Sequence, residues 1–399
     1  MALTSFIIAT YNRAHWLKLT IENILQQRAR DWELLIVDDG STDNTAQTVA
    51  NFSDTRIRYF YHEHGERCAA RNFGLTHARG EFVIFMDDDD FLHADLLLRA
   101  QQVHAATGAN AVYYGSRVMN EAGAFLPQTP FIPVKQLDML RAILVENFGL
   151  SFARFERAWV ERVGCFDTAL SAAEDWDLWI RMAAAGCTFA FVPDVMFYYR
   201  MHADNTIRDW SRMENSSRFV LQRALDAYPI ETAPYREIAL ARQSFREALR
   251  RAFYRDIETA QQKLSDAFCT DVTLTDNLDI FYQVVCATQP NGYKGTLEYL
   301  DIPYGAQFLL GALERTFARA ASNTTDNARS AAFALAHETI ARLYYAKRDL
   351  KLARQHFWRA LQYQPSRTLR REFAATMFKA NLPDALFSQT KRTAPPPTA

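Results

Sequence analysis

The 399-residue chain carries 45 Lys and Arg against 46 Asp and Glu, a formal net charge of -1, and 49% of its residues are apolar. That is material enough for two domains with real cores, and the near-neutral balance gives no support to nucleic acid as the main ligand. No apolar run approaches the ~18 residues of a membrane span, and the opening MALTSFIIATYN lacks the charged leader and cleavage pattern of a signal peptide, so a cytoplasmic setting is expected.

Ser5 to Ala9 is a short apolar strand, and Thr10-Tyr11-Asn12-Arg13 forms the turn after it. Leu17, Ile21, Ile24 and Leu25 then keep helical spacing, which predicts a helix packing back on a sheet. Trp32 to Val37 is a second strand ending on Asp38-Asp39-Gly40-Ser41, with a capped helix behind it. Ile57 to Tyr61 is a third, followed by the Gly65 turn and a helix from about Cys68 to Ala78 bearing Arg67, Arg71 and Asn72. Alternating strands and helices of this length predict a largely parallel α/β sheet covered on both faces.

The fourth strand organises the rest. Phe82 to Met86 is an apolar run that stops on Asp87, Asp88, Asp89 and Asp90. Four carboxylates at the end of a buried strand repel one another unless a cation or water joins them. A hard divalent cation, Mn²⁺ or Mg²⁺, suits such oxygen ligands; the alternative is a solvated acidic loop. Thr10, Tyr11 and Asp39 gather at adjacent strand ends, where an aromatic ring can stack on a base and a carboxylate can accept its N–H. Arg71 carries the planar fork suited to a pyrophosphate. Each residue is ordinary alone, and convergence carries the nucleotide-site reading.

These pieces give the chain a resemblance to the family 2 glycosyltransferases of the GT-A fold. The matching motifs are FIIATYNR, WELLIVDDGSTDNT, AARNFGLTHARGEFVIFMDDDDFL, AAEDWDLWIRMAAAG and YYRMH, in order over about residues 4 to 208. The resemblance implies that Thr10, Tyr11 and Asp39 hold the base of a nucleotide-diphosphate sugar and that Arg71 approaches its diphosphate. It implies further that Asp87 or Asp88 contacts the ribose, that Asp89 binds the metal and that Asp175 is the general base. Two features depart from the usual pattern. Four aspartates replace D-x-D-D, and Glu66-Arg67 stands where small residues are common; Arg67 is read as a second cation near the phosphates or as a partner of Glu66 or Glu63.

Residues 109 to 208 are expected to build the acceptor side. Ala111 to Gly115 and Arg117 to Asn120 read as two strands and Phe155 to Val163 as a helix, with a flexible Thr168 to Ala173 segment presenting Glu174 and Asp175. Asp175 falls at a helix start, where the dipole favours a carboxylate and where a plain helix cap is the alternative role. Trp176 and Trp179 beside it offer sugar-stacking surfaces. His202, after the strand Val195 to Arg200, is a candidate to close over the diphosphate or bind the metal.

From about residue 211 helical periodicity takes over. Ala341, Tyr344, Ala353, Phe357, Ala360 and Pro365 keep the spacing of a tetratricopeptide-like hairpin, and Ala260, Leu264 and Ala267 repeat part of it. The expected organisation is a catalytic domain over 1–210, an all-α domain over 211–392 and a disordered tail over 393–399. Charge divides along the same line: residues 1 to 210 hold 19 basic and 27 acidic residues, the remainder 26 and 19. Arg242, Arg246 and Arg250 at i, i+4, i+8, and a second cluster of Lys347, Arg348, Lys351, Arg354 and Arg359, read as a solvated face or as a docking face for an anionic membrane or an acidic protein partner. The five cysteines are scattered without a CxxC and predict reduced thiols.

The reaction this reading implies is inverting transfer of a sugar to a hydroxyl of a saccharide, lipid-linked or protein acceptor. A catalytically silent sugar-nucleotide-binding domain serving a helical interaction module is the alternative, and intact Asp89 and Asp175 argue against it. A nucleotidyltransferase would need a Gly-rich, Lys-containing phosphate loop near the amino terminus, which the sequence lacks.

Overall fold

The computed structural model describes residues 3–126, 138–146, 153–202, 209–289, 297–319 and 325–381. The expected tail over 393–399 lies outside the described residues. The chain divides into two compact units, Met1–Ala239 and Leu240–Ala399.

In the first unit β1 (Thr4–Thr10) leads to α1 (Ala14–Ile24), β2 (Trp32–Asp38) to α2 (Thr45–Ala50) and β3 (Ile57–Tyr61) to α3 (Glu66–His77). Strand β4 (Phe82–Met86) runs through the aspartates into β5 (Phe91–Leu92) and α4 (Leu96–Thr107). Then come β6 (Ala111–Met119), α5 (Met139–Glu146), β7 (Arg154–Glu156), α6 (Arg157–Arg162), α7 (Glu174–Ala184), β8 (Phe189–Arg200), α8 (Trp210–Ala227) and α9 (Pro229–Thr232). The eight strands form one sheet in the order β3-β2-β1-β4-β7-β6-β8-β5. Pairing is parallel except where β7 meets β4 and β6 and where β5 meets β8. The mostly parallel α/β sheet expected from the sequence is present.

Alternation along β1 shows why both faces are covered. Phe6 and Ile8 join Leu17 and Ile21 of α1 in one core. Ile7 faces the other way, toward α3, where a Cβ added at Gly74 would lie 2.5 Å from Ile7 Cγ2. Gly74 therefore lets that helix approach the sheet closely. Register sets Thr10 opposite Asp38 and Ile8 opposite Met86, so β1, β2 and β4 end in a row. This row is the floor of the site, as expected for carboxyl ends of parallel strands.

Two element assignments change. The two strands expected over 111–120 are one strand, β6, whose register against β8 shifts around Gly115; this irregularity produced the apparent break. The helix expected from Phe155 begins at Arg157, because Arg154–Glu156 is captured as β7, with Phe155 paired to Val83 and Ala111. Sheet pairing overrides local helical spacing there.

The second unit is helical: α10 (Arg236–Phe253, begun in the first unit), α11 (Ile257–Thr270), α12 (Leu278–Val285), α13 (Ile302–Arg319), α14 (Thr325–Ala346), α15 (Leu350–Tyr363) and α16 (Arg371–Ala380). Ala341 and Tyr344 on α14 and Ala353, Phe357 and Ala360 on α15 are buried, as hairpin spacing requires. Asp349 caps α15 by accepting from Leu352 N, and Asp256 caps α11 by accepting from Thr259 N. Helix α13 crosses α12 at Gly305, where a Cβ would stand 2.1 Å from the Val285 carbonyl oxygen.

The basic stripe on α10 is not a solvated face. Arg242, Arg246 and Arg250 are half-buried, and burial, with Arg250 and Arg242 nearby, pushes the Arg246 guanidinium down to about 10. Glu247 pairs with Lys263 at 2.8 Å. In the second cluster Lys347, Arg348, Lys351 and Arg359 are exposed beside Trp358, whereas Tyr344 and Phe357 are core. No helix among the described residues is long and apolar enough to cross a membrane. All five cysteines are free thiols.

Candidate active site

The aspartates that follow β4 occupy four different environments. Asp87 is the most open, its side chain 42% exposed, and it accepts from Arg71 Nη2 at 2.7 Å. Burial opposes its charge, but Arg71 and Arg67 hold its carboxyl below the ordinary range. Asp88 is buried and accepts from Thr10 Oγ1 at 2.6 Å and Arg13 Nη1 at 3.0 Å. Burial pushes it up to about 7, against the pull of Arg13 and with the push of Asp89. Asp89 Oδ2 receives Arg13 Nη1 at 2.8 Å and lies 2.8 Å from His202 Nε2. Asp90 is fully buried; its Oδ1 accepts from Arg200 N, its Oδ2 has no partner, and burial raises it well above the ordinary value.

The base-side residues converge at the neighbouring strand ends. Asp39 Oδ1 accepts from Gly65 N at 2.9 Å, and its Oδ2 lies 3.0 Å from His64 Nδ1. His64 stacks on Tyr11 with centroids 4.6 Å apart, leaving the Tyr11 ring 45% exposed. Thr10, expected beside a base, is 3% exposed and spends its hydroxyl on Asp88. Of the two candidates for a ribose contact, Asp87 is open to the cleft and Asp88 is engaged by Thr10 and Arg13.

Across the cleft, α7 begins at Glu174 directly after Ala173, which has φ 58°. Glu66, at the start of α3, has φ 67°, and both residues line the cleft. Left-handed backbone at non-glycine positions gathers at functional sites because it must be held by its surroundings. Glu174, expected on the acceptor side, is 4% exposed and bridges Arg71 Nη1 at 3.0 Å and Arg67 Nε at 3.1 Å. It is a counter-ion of the arginine pair, and Arg67 turns to Glu174 rather than to Glu66 or Glu63. Asp175 lines the cleft, its Oδ1 accepting from Trp176 N, while Ala173 stands at the cap position.

Trp176 and Trp179 reach the cleft wall, but neither is an open stacking surface. They are 3% and 2% exposed. Trp176 donates to the Ile143 carbonyl, and Trp179 stacks on Phe155 at 4.2 Å. The segment expected to be flexible, Thr168 to Ala173, is clasped from several sides. Arg67 and Arg212 donate to the Ser171 carbonyl, Arg223 bridges Asp167 and Asp177, and Leu170 and Ala172 are buried.

Together these residues line a cleft of about 540 Å³. Seven carboxylates and three arginines face it, so the wall asks for additional positive charge. Asp87, Asp89 and Asp90 each offer a carboxylate oxygen within 4.8 Å of the others. An all-oxygen set with one orphaned buried oxygen, on Asp90, fits a hard divalent cation.

Sequence reasoning overlooked Arg13 and His64. Arg13 reads from the sequence as part of a turn, though four carboxylates on the adjacent strand end are signal enough to look for a cation there. Nothing local marks His64; it enters the site because Asp39 and Tyr11 meet it in space.

Residues 5–166 match the family model described as Glycosyl transferase family 2. These residues form a family 2 glycosyltransferase domain. The match covers the strand ends and the aspartate run, while Glu174, Asp175 and His202 lie beyond it. An uncharacterized glycosyltransferase, RC0461, of Rickettsia conorii is 26% identical over 211 residues, covering 51% of this chain and 34% of that protein. The UDP-Glc:alpha-D-GlcNAc-diphosphoundecaprenol beta-1,3-glucosyltransferase WfgD of Escherichia coli is 42% identical over 96 residues, 24% of this chain and 38% of the relative. This chain thus spans little more than a third of either relative's length. Among solved structures, S. aureus TarS 1-349 in complex with UDP-GlcNAc aligns at TM-score 0.49 and 16% identity, over 91% of this chain and 92% of that one.

Proposed function

We propose that this chain is an inverting, cation-assisted glycosyltransferase that moves a sugar from a nucleotide-diphosphate sugar to an acceptor hydroxyl. The observation that carries the reading is one cleft, in a family 2 glycosyltransferase domain, lined by Asp87 and Asp89 of a convergent carboxylate trio whose third member, Asp90, is buried behind them, with a further carboxylate, Asp175, at a helix start across from them. Tyr11 and Asp39 take the base, Tyr11 by its exposed ring and Asp39 as acceptor for a base N–H. Asp87 contacts the ribose. Asp89 and Asp90, with His202 behind Asp89, hold Mn²⁺ or Mg²⁺, which when bound neutralises charge on the diphosphate. Arg71 supplies fixed positive charge from behind Asp87.

Asp175 removes the proton of the acceptor hydroxyl. That oxygen bonds to the anomeric carbon as the bond from this carbon to the diphosphate breaks, the electron pair leaving with the diphosphate. A single displacement of this kind inverts the anomeric centre. The WfgD relative is named for a UDP-Glc donor and an alpha-D-GlcNAc-diphosphoundecaprenol acceptor, so UDP-sugars and lipid-linked saccharide acceptors are the first classes to try here. The experiment is a thermal-shift panel of nucleotide sugars with and without Mn²⁺, followed by NMR of the product made with the best donor. A melting temperature raised by one nucleotide sugar only when Mn²⁺ is present, and a product of inverted anomeric configuration, are expected. No response to any nucleotide sugar, or a retained configuration, overturns the reading.

A further inference from the structure

The aspartate cluster already contains a cation belonging to the chain. Arg13 Nη1 sits between Asp88 Oδ1 at 3.0 Å and Asp89 Oδ2 at 2.8 Å, and its side chain is 28% exposed at the cleft wall. The two carboxylates it bridges are 4% and 5% exposed. The other donor on Asp89 Oδ2 is His202, itself buried and stacked on Trp16 with centroids 5.4 Å apart. One oxygen of a carboxylate in the candidate metal set therefore serves two protein donors. A guanidinium 2.8 Å from Asp89 and a divalent cation bound to the same carboxylate group place two positive charges close together, and they repel each other.

Arg13 and His202 differ in exposure, 28% against 2% for their side chains. His202 is enclosed, and its ring is held by the Trp16 stack. Arg13 follows Asn12, whose side-chain oxygen accepts from Thr42 N at 2.7 Å, so the backbone before it is tied down. The guanidinium, however, reaches the cluster from the cleft side on a long, partly exposed stem.

We propose that Arg13 is a resident counter-cation of the aspartate cluster that a divalent cation displaces, so that metal loading is an exchange reaction between Arg13 and the ion. This rests on the reading above that Asp89 is a metal ligand. Arg13 keeps Asp88 and Asp89 from repelling each other while no metal is present, and by the same contact it weakens metal affinity. The nucleotide-free chain thereby holds its metal loosely, and a diphosphate entering the cleft offers the withdrawn guanidinium a new anionic partner.

The test uses the full chain and Mn²⁺ alone, titrated by electron paramagnetic resonance, with melting curves in EDTA as an independent readout. Arg13→Gln should bind Mn²⁺ about tenfold more tightly than wild type, while its melting temperature in EDTA falls by several degrees. Arg13→Lys keeps the charge but not the fork and should fall between the two on both measures; it also serves if the glutamine variant does not fold. Mn²⁺ affinity that is unchanged or weaker in Arg13→Gln overturns the exchange while leaving the metal site intact. Absence of Mn²⁺ binding in wild type and both variants overturns the exchange together with the metal assignment of the preceding section. Binding in Arg13→Gln but none in wild type is the exchange in its strongest form.

Discussion

His202 Nε2 lies 2.8 Å from Asp89 Oδ2, joining the strand end after β8 to the aspartate run across 113 residues of sequence. Asp89 is thus fixed by a side chain from outside the matched family segment, and its orientation depends on the end of β8 as much as on β4. Asp89→Ala should abolish Mn²⁺-dependent binding of a nucleoside diphosphate, with circular dichroism retained. His202→Gln should weaken it by roughly 10- to 100-fold, the usual range for losing a group that supports a metal ligand. Calorimetry with and without Mn²⁺ measures both, and unchanged affinity in Asp89→Ala would move the metal site elsewhere.

The two carboxylates that open α7 should separate cleanly on mutation. Glu174 is enclosed between Arg67 and Arg71, so Glu174→Gln removes a buried charge partner and should lower stability by ~3 kcal/mol. Asp175→Asn should instead leave the melting temperature close to wild type and cost ~10² to 10⁴ in turnover. Denaturation and steady-state kinetics on both variants decide it. The pattern reversed, with the larger kinetic loss in Glu174→Gln, would reassign the base.

A pH response is expected from the second unit. His337 Nδ1 and His356 Nδ1 lie 2.9 Å apart between α14 and α15, with Tyr363 stacked on His337 and Tyr344 on His356. Burial pushes His337 down to about 3, with help from the positive charges of His356 and Arg359, and burial with Arg359 pushes His356 down to about 4. Both rings are neutral in the folded hairpin. The unfolded chain takes up their protons near pH 6.5, so their contribution is complete above that value and is lost as pH falls through 6.5 toward 4. Urea midpoints should drop steadily between pH 7 and pH 4.5. The double change His337→Phe, His356→Leu should flatten that slope, and an undiminished slope would place the titration elsewhere.

Gly305→Ala tests the helical core from the backbone side. The added methyl would meet the Val285 carbonyl at 2.1 Å, a contact no rotamer can relieve, so α13 must move away from α12. A loss of ~3 kcal/mol or more is expected, of the size seen when a core is overfilled. Gly108→Ala has open space around it but a φ of 65°, and it should cost only ~1 kcal/mol. Equal effects would mean that close approach is not what Gly305 provides.

Much of this was legible beforehand because apolar runs such as Phe82–Met86 and hairpin spacing such as Ala353, Phe357, Ala360 report burial directly. The approach of Asp87 to Arg71 was less so, since sequence places both residues at a strand end but says nothing of their bond. What escaped the sequence has a common cause. Arg13 and Glu174 owe their contacts to partners 76 and 103 positions away, and no local pattern encodes a pairing at that range. Arg242, Arg246 and Arg250 show the converse. A helical stripe of charge looks solvated on paper, yet nothing in its spacing reveals that the helix carrying it is packed on that side.

The clasp on residues 167–177 has a practical consequence for anyone preparing part of this protein. A recombinant fragment ended at 210, where strand signals fade, would lack Arg212 and Arg223 and with them the grip on Ser171, Asp167 and Asp177. Such a fragment would keep every strand of the sheet and every aspartate of the cluster. Its turn into α7 would nonetheless be open to protease, and the carboxylate at Asp175 would no longer be presented to the cleft. A fragment running to Ala239 includes the helix that supplies both arginines.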